Sequence, residues 1–126
     1  MSLSDTTATL SVLAEQVLRS PANRGPLEGA THVGVSGSVG DGPYVQIWLK
    51  LAGGTIEEAA FRTPGCPSST AAAGVLCALI AGKSVERVKT LTRDDLKAVV
   101  GVLPDGKGHY IDQSIEALMK ALQGEA

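Results

Sequence analysis

The chain has 126 residues, enough for one domain spanning residues 1–126 and large enough to bury roughly two thirds of the surface it exposes when unfolded. A hydrophobic fraction of 44% with 19% charged residues argues against a disordered chain, and an aromatic share of 3% predicts an aliphatic, alanine-rich core. A formal charge of -2, with no aromatics interleaved among Lys and Arg, argues against nucleic acid as a partner. The longest apolar run, Ala71 to Ala81, is too short to span a bilayer.

The first residues, Met1-Ser2-Leu3-Ser4-Asp5, contain no basic stretch followed by an apolar one, which predicts a cytoplasmic protein without a secretory signal. Leu10, Leu13, Val17 and Leu18 recur at helical spacing and predict a helix over about Thr9–Arg19. Ser20-Pro21 closes it, because the residue before a proline is pushed out of the helical region. A turn-rich connector, Ala22 to Pro26, follows.

Val33 and Val35 alternate with Gly34 and Ser36, and Val45, Ile47, Leu49 and Leu51 alternate with Gln46, Trp48 and Lys50. That period belongs to strands with one buried face. Gly53-Gly54 supplies a hairpin turn, and Thr55–Arg62 reads as the return strand. From Ser68 the pattern is helical until Gly82, where glycine suits a left-handed cap. Ser84–Val88 is a short helical turn, and Thr92 with Asp95 forms a capping-box signature for a helix to about Val100. After the breaker-rich Gly101–Gly108 loop, Ile111, Ile115, Leu118 and Leu122 mark a last amphipathic helix. A helix, a three-strand antiparallel meander and then helices predict an α+β domain with helices packed on the sheet.

The chemistry concentrates in three loops: Gly37–Pro43, Gly65-Cys66-Pro67 and Gly106–Tyr110. Pro67 fits a first helical position, so Cys66 falls beside unpaired N–H groups and the positive end of the helix dipole, both of which favour the thiolate. The same residues also read as a glycine-proline turn ending in a small apolar side chain. Cys77, flanked by Leu76 and Leu79, reads as core packing. With about 1.5 Å of rise per residue, one helix would hold the two cysteines roughly 16 Å apart, beyond disulfide reach. If the loops converge, Asp41, Cys66 and His109 offer oxygen, sulfur and nitrogen donors, a trio suited to zinc or ferrous iron with one position open. Singly, Asp41 reads as a turn residue, His109 as an N-terminal helix residue and Cys66 as packing.

Several motifs recur in order. Pro21-x-Asn23-x-Gly25, then Ile56-Glu57-Glu58-Ala59-x-Phe61-Arg62-Thr63-x-Gly65-Cys66, then Gly82-Lys83-Ser84, then Leu103-Pro104-x-x-Lys107-x-His109 run through the sequence. Over about Ser20–Leu122 the chain thereby resembles the iron–sulfur cluster scaffold family of IscU and the N-terminal domain of NifU. The resemblance implies that family's fold, a three-stranded antiparallel sheet flanked by helices, and a role in cluster assembly with a cysteine desulfurase as sulfur donor. The family holds its nascent cluster with three cysteines, helped by a histidine and an aspartate. Here only Cys66 and His109 match that ligand set; Asp41 stands at the first cysteine, Pro43 at the aspartate and Tyr110 at the last cysteine. Asp105-Gly106 replaces the Pro-Val that the family's chaperone grips, while Lys107 is kept, which puts chaperone docking in doubt.

One thiolate cannot hold a two-iron cluster in the four-thiolate manner. Three outcomes follow. One chain binds a mononuclear zinc or iron through Asp41, Cys66 and His109, with Tyr110 or water completing the shell; two chains share an iron–sulfur cluster as a homodimer; or the fold persists as an interaction module without metal. The reading favoured is a cysteine-poor scaffold rather than an enzyme. Its alternative from another class is thiol-based sulfur transfer, with Cys66 as nucleophile and His109 as base.

Overall fold

The computed structural model describes residues 9–19, 23–38, 41–63, 67–103 and 106–123. Ser20-Pro21, Pro64-Gly65-Cys66 and Pro104-Asp105 lie outside the described residues, as does the side chain of Asp41.

Three strands, β2 (His32–Ser38), β3 (Asp41–Ala52) and β4 (Thr55–Arg62), form an antiparallel sheet in the order β2-β3-β4. The β3–β4 hairpin turns at Gly53 and Gly54, whose φ angles of 59° and 81° require the left-handed region. Two consecutive positive φ angles match the twist of the flanking strands, which is why a glycine pair is effective there. Along β3 the expected alternation holds: Val45, Ile47 and Leu49 are buried, with Gln46, Trp48 and Lys50 on the other face. β2 alternates with its sides reversed relative to side-chain hydrophobicity, because Gly34 and Ser36 are buried and Val33 and Val35 are half-buried opposite. The cause is a helix running close over the strand.

That helix is α5 (His109–Gln123), which lies across β2 and β3. A Cβ placed on Gly34 would meet Ala117 O and Ala121 N at 2.3 Å, so only glycine admits the contact. The Ser36 hydroxyl donates to Glu116 Oε1 on the same helix. α2 (Pro67–Ile80) packs against β4 and α5 on one side and against α1 (Val12–Arg19) and α4 (Arg93–Val100) on the other. It is buried from Ser68 through Cys77, as expected of a helix apolar on every side. The core is aliphatic and alanine-rich around the single phenylalanine, Phe61, and Cys77 sits within it fully buried. Behind the sheet, Gly25 rests on the Trp48 ring, 2.3 Å from where a Cβ would lie.

The helix starts follow local signals. Pro67 is the first residue of α2, Ser84 caps α3 (Val85–Val88), and the capping box of Thr92 and Asp95 opens α4 with both reciprocal bonds made. Thr92→Ala should therefore cost about 1 kcal/mol, measurable as a shift in denaturation midpoint without a change in slope.

One expectation is corrected. The predicted helix over Thr9–Arg19 begins only at Val12, with the Ser11 hydroxyl accepting from Ala14 N at 3.0 Å. Thr9–Leu10 is instead a strand, β1, paired antiparallel with β5 (Gly101–Val102) in a second, two-stranded sheet. Ser11 N also donates to Val100 O at 3.0 Å, so pairing across ninety residues of chain outcompetes one extra helical turn.

Candidate functional site

Antiparallel order puts the end of β2, the start of β3 and the end of β4 at one end of the sheet. The sequence breaks there for local reasons. Gly37 has φ of 90°, and a Cβ on it would lie 2.4 Å from Pro43 O, so the register shift between Gly37 and Ser38 depends on glycine. Asp41 is the first residue of β3, opposite Ser38. The Thr63 hydroxyl donates to Tyr44 O at 2.8 Å, tying the exit of β4 to the entry of β3, and α2 begins at Pro67 four residues later.

α5 reaches the same end with its first turn. Gln113 Nε2 donates to Pro43 O at 3.3 Å, which pins that turn to the entry of β3. His109 opens α5 and is exposed; Tyr110 behind it is buried, with ring centroids 4.1 Å apart. The Ser114 hydroxyl bonds back to Tyr110 O at 2.8 Å.

Of the four residues singled out from sequence, His109 and the backbone of Asp41 therefore share one end of the domain with the buried Tyr110. Cys66 and the Asp41 carboxylate lie outside the described residues, and among the described residues no three His, Cys, Asp or Glu side chains form a metal-sized group. Thr63, three residues before Cys66 in sequence, is tied to this end, and Pro67, one residue after it, opens α2. The other cysteine, Cys77, takes no part: it is fully buried, and desolvation drives its thiol pKa far above the ordinary value.

Gln113 was not legible as a site residue from sequence. Its Oε1 is buried and has no hydrogen-bond partner among the described residues. The signal that could have found it is helical spacing, because Gln113 lies four residues beyond His109 and so on the same face of α5.

The comparisons with known proteins agree with this architecture. Residues 11–124 match the family model described as NifU-like N terminal domain, a span that extends beyond the motifs to include α1. The iron-sulfur cluster assembly scaffold protein IscU 1 of Archaeoglobus fulgidus is 31% identical over 104 residues, covering 82% of this chain and 68% of that protein. The IscU scaffold protein of Aquifex aeolicus is 32% identical over 105 residues, covering 82% of this chain and 67% of its own. The crystal structure of a NifU-like protein (N-terminal) from Brucella abortus superimposes with a TM-score of 0.64 at 15% identity, covering 90% of this chain and 91% of that one. Among the described residues no helix is long and apolar enough to cross a membrane. The chain belongs to the NifU-like N-terminal domain family.

Proposed function

We propose that the protein, a single IscU/NifU-like domain over residues 1–126, is a cytoplasmic scaffold for iron–sulfur cluster assembly whose cysteine-poor site handles a metal ion or a cluster shared between two chains. What carries this reading is the meeting, at one end of a family fold, of the β3 entry, the β4 exit and the first turn of α5. These segments bear or flank Asp41, Cys66 and His109. A thiolate, an imidazole and a carboxylate suit zinc or ferrous iron, whereas a two-iron cluster ordinarily takes four thiolates. Tyr110, in the position of the family's last cysteine, is buried and braces His109. A metal-bound imidazole needs an acceptor for its second nitrogen. The buried, unpartnered Oε1 of Gln113, one turn along α5, is the acceptor we assign to His109.

The sulfur donor in this reading is a cysteine desulfurase, as the family resemblance implies. Chaperone docking is weakened by Asp105-Gly106, although Lys107 remains.

Anaerobic purification followed by metal analysis and reconstitution with zinc, or with ferrous iron and sulfide, tests the proposal. We expect about one metal per chain and little lasting cluster colour from the monomer. Cys66→Ser or His109→Ala should weaken metal binding by more than the roughly 10–100-fold cost of losing an outer-shell partner. Stable, stoichiometric cluster absorption from a monomer would overturn the mononuclear assignment. The same absorption confined to a dimer would support the shared cluster, and absence of any metal would leave an interaction module.

A further inference from the structure

A cavity of about 360 Å³ opens between the end of α2, α3 and α4. Its floor is apolar: Ile80 and Val88 are 1% and 3% exposed, and Leu79, Leu91 and Val99 are half-buried around them. The volume falls within the roughly 300–1,000 Å³ of small-molecule sites, which are likewise mostly apolar with a few polar groups at the opening.

Backbone bonds hold the walls in place. The link from α2 to α3 is laced to the start of β4, with Ile56 N donating to Lys83 O at 2.9 Å, Gly82 N to Ile56 O at 2.7 Å and Val85 N to Gly54 O at 2.8 Å. Ser84 caps α3, Leu91 N donates to Val88 O at 3.0 Å, and the capping box of Thr92 and Asp95 fixes the start of α4. The link therefore sits at the Gly53-Gly54 hairpin end of the sheet, opposite the end where the candidate site lies. A cavity with such walls needs little ordering to receive a ligand.

Three charged residues border it: Lys83, Arg87 and Asp95, all exposed. Among the described residues neither cation is paired with a carboxylate. Asp95 is already engaged, since its Oδ2 accepts from Thr92 N at 3.0 Å within the capping box. Two cations against one carboxylate leave the rim one positive charge, the complement of a monoanion. An apolar floor under such a rim suits a ligand with an apolar body and one anionic end.

We propose that this cavity binds a medium-chain carboxylate, its tail lying on Ile80 and Val88 and its carboxylate at the rim with Lys83 and Arg87. This inference stands apart from the metal reading, since it uses neither Cys66 nor His109.

The test is an NMR titration of the full chain that follows the methyl signals of Ile80, Val88 and Leu91. Sodium decanoate, sodium hexanoate and decyltrimethylammonium chloride are added in separate arms, below their micelle concentrations and at constant ionic strength. Decanoate is expected to saturate, and to bind at least about tenfold more tightly than hexanoate, because each buried methylene is worth roughly fourfold. It should also bind at least about fivefold more tightly than the cationic probe. The Lys83→Gln/Arg87→Gln double variant should weaken decanoate about threefold to tenfold, the worth of two exposed ion pairs, and remove its advantage over the cation. Lys120→Gln, an exposed charge on α5, should change nothing. Ala98 lines the cavity from the exposed side of α4, so Ala98→Trp should fill the space and abolish binding. Ala98→Leu, expected to weaken binding several-fold, keeps the test decisive if the tryptophan variant does not fold. Shifts that fail to saturate, a cationic probe that binds as tightly as decanoate, or binding that survives both Ala98 variants would overturn the site. Sedimentation of the parent without probe adds one more outcome: a dimer that Ala98→Trp dissociates would make a second copy the occupant and overturn the carboxylate.

Discussion

Gly34→Ala is expected to lower stability by about 3 kcal/mol, the upper part of the range for overpacking a close contact. In a domain of this size that is a fall in melting temperature of roughly 10 °C. The new methyl would meet Ala117 O and Ala121 N at 2.3 Å and Ala121 Cα at 2.8 Å, all backbone atoms of α5. A side chain can rotate away from such a contact; a helix backbone cannot, so α5 as a whole must lift from β2. The displacement would reach the candidate site through Gln113 and Pro43. Gly108→Ala is the control, since nothing lies within 4 Å of its would-be Cβ, and it should change stability by less than about 0.5 kcal/mol. Thermal unfolding followed by far-ultraviolet circular dichroism measures both, and a Gly34→Ala protein melting within about 2 °C of the parent would refute the close-contact account.

The two cysteines should differ in alkylation rate by at least about a thousandfold at neutral pH. Cys77 is fully buried and its thiol is held protonated by desolvation, so a reagent reaches it only when the domain opens. With native stabilities of at least about 5 kcal/mol, the open state is populated at less than roughly one part in a thousand. Cys66 immediately precedes Pro67, the first residue of α2, where the helix dipole favours the thiolate. Mass spectrometry after timed exposure to iodoacetamide gives both rates, and zinc should protect Cys66 in the parent protein but not in His109→Ala. Equal rates, or a Cys66 rate indifferent to zinc, would favour the reading without metal.

Cys77 also carries a pH signature. Its folded-state pKa is raised, so the native chain keeps a proton that the unfolded chain releases above about pH 8.5. Stability from this group is intact below that pH and declines above it by about 1.4 kcal/mol per pH unit. The decline should be missing from Cys77→Ala, and comparing denaturation midpoints of the two proteins between neutral and alkaline pH isolates it from other titrations.

Most elements of this protein are legible in its sequence because their causes are local. The Gly53-Gly54 hairpin, Pro67 at the start of α2, the capping box of Thr92 and Asp95, and the apolar stripe of α5 each depend on residues within a few positions of one another. The family is legible for a related reason, as ordered motifs at near-constant spacing survive the loss of cysteines between them. What the tertiary structure alone decided involves residues far apart in the chain. The pairing of Thr9–Leu10 with Gly101–Val102 gives two-residue strands too short to leave a period, and it trims the first helix from a distance. The burial of Gly34 and Ser36 in place of Val33 and Val35 is set by how closely α5 approaches, a contact that favours small residues over apolar ones. Gln113 against Pro43, and Arg24 over the Phe61 ring, are likewise brought together only when distant segments close on each other. Propensity and periodicity act over a turn or a strand, so they determine which elements form; close packing between distant segments determines which faces meet, and with them the neighbours of the site.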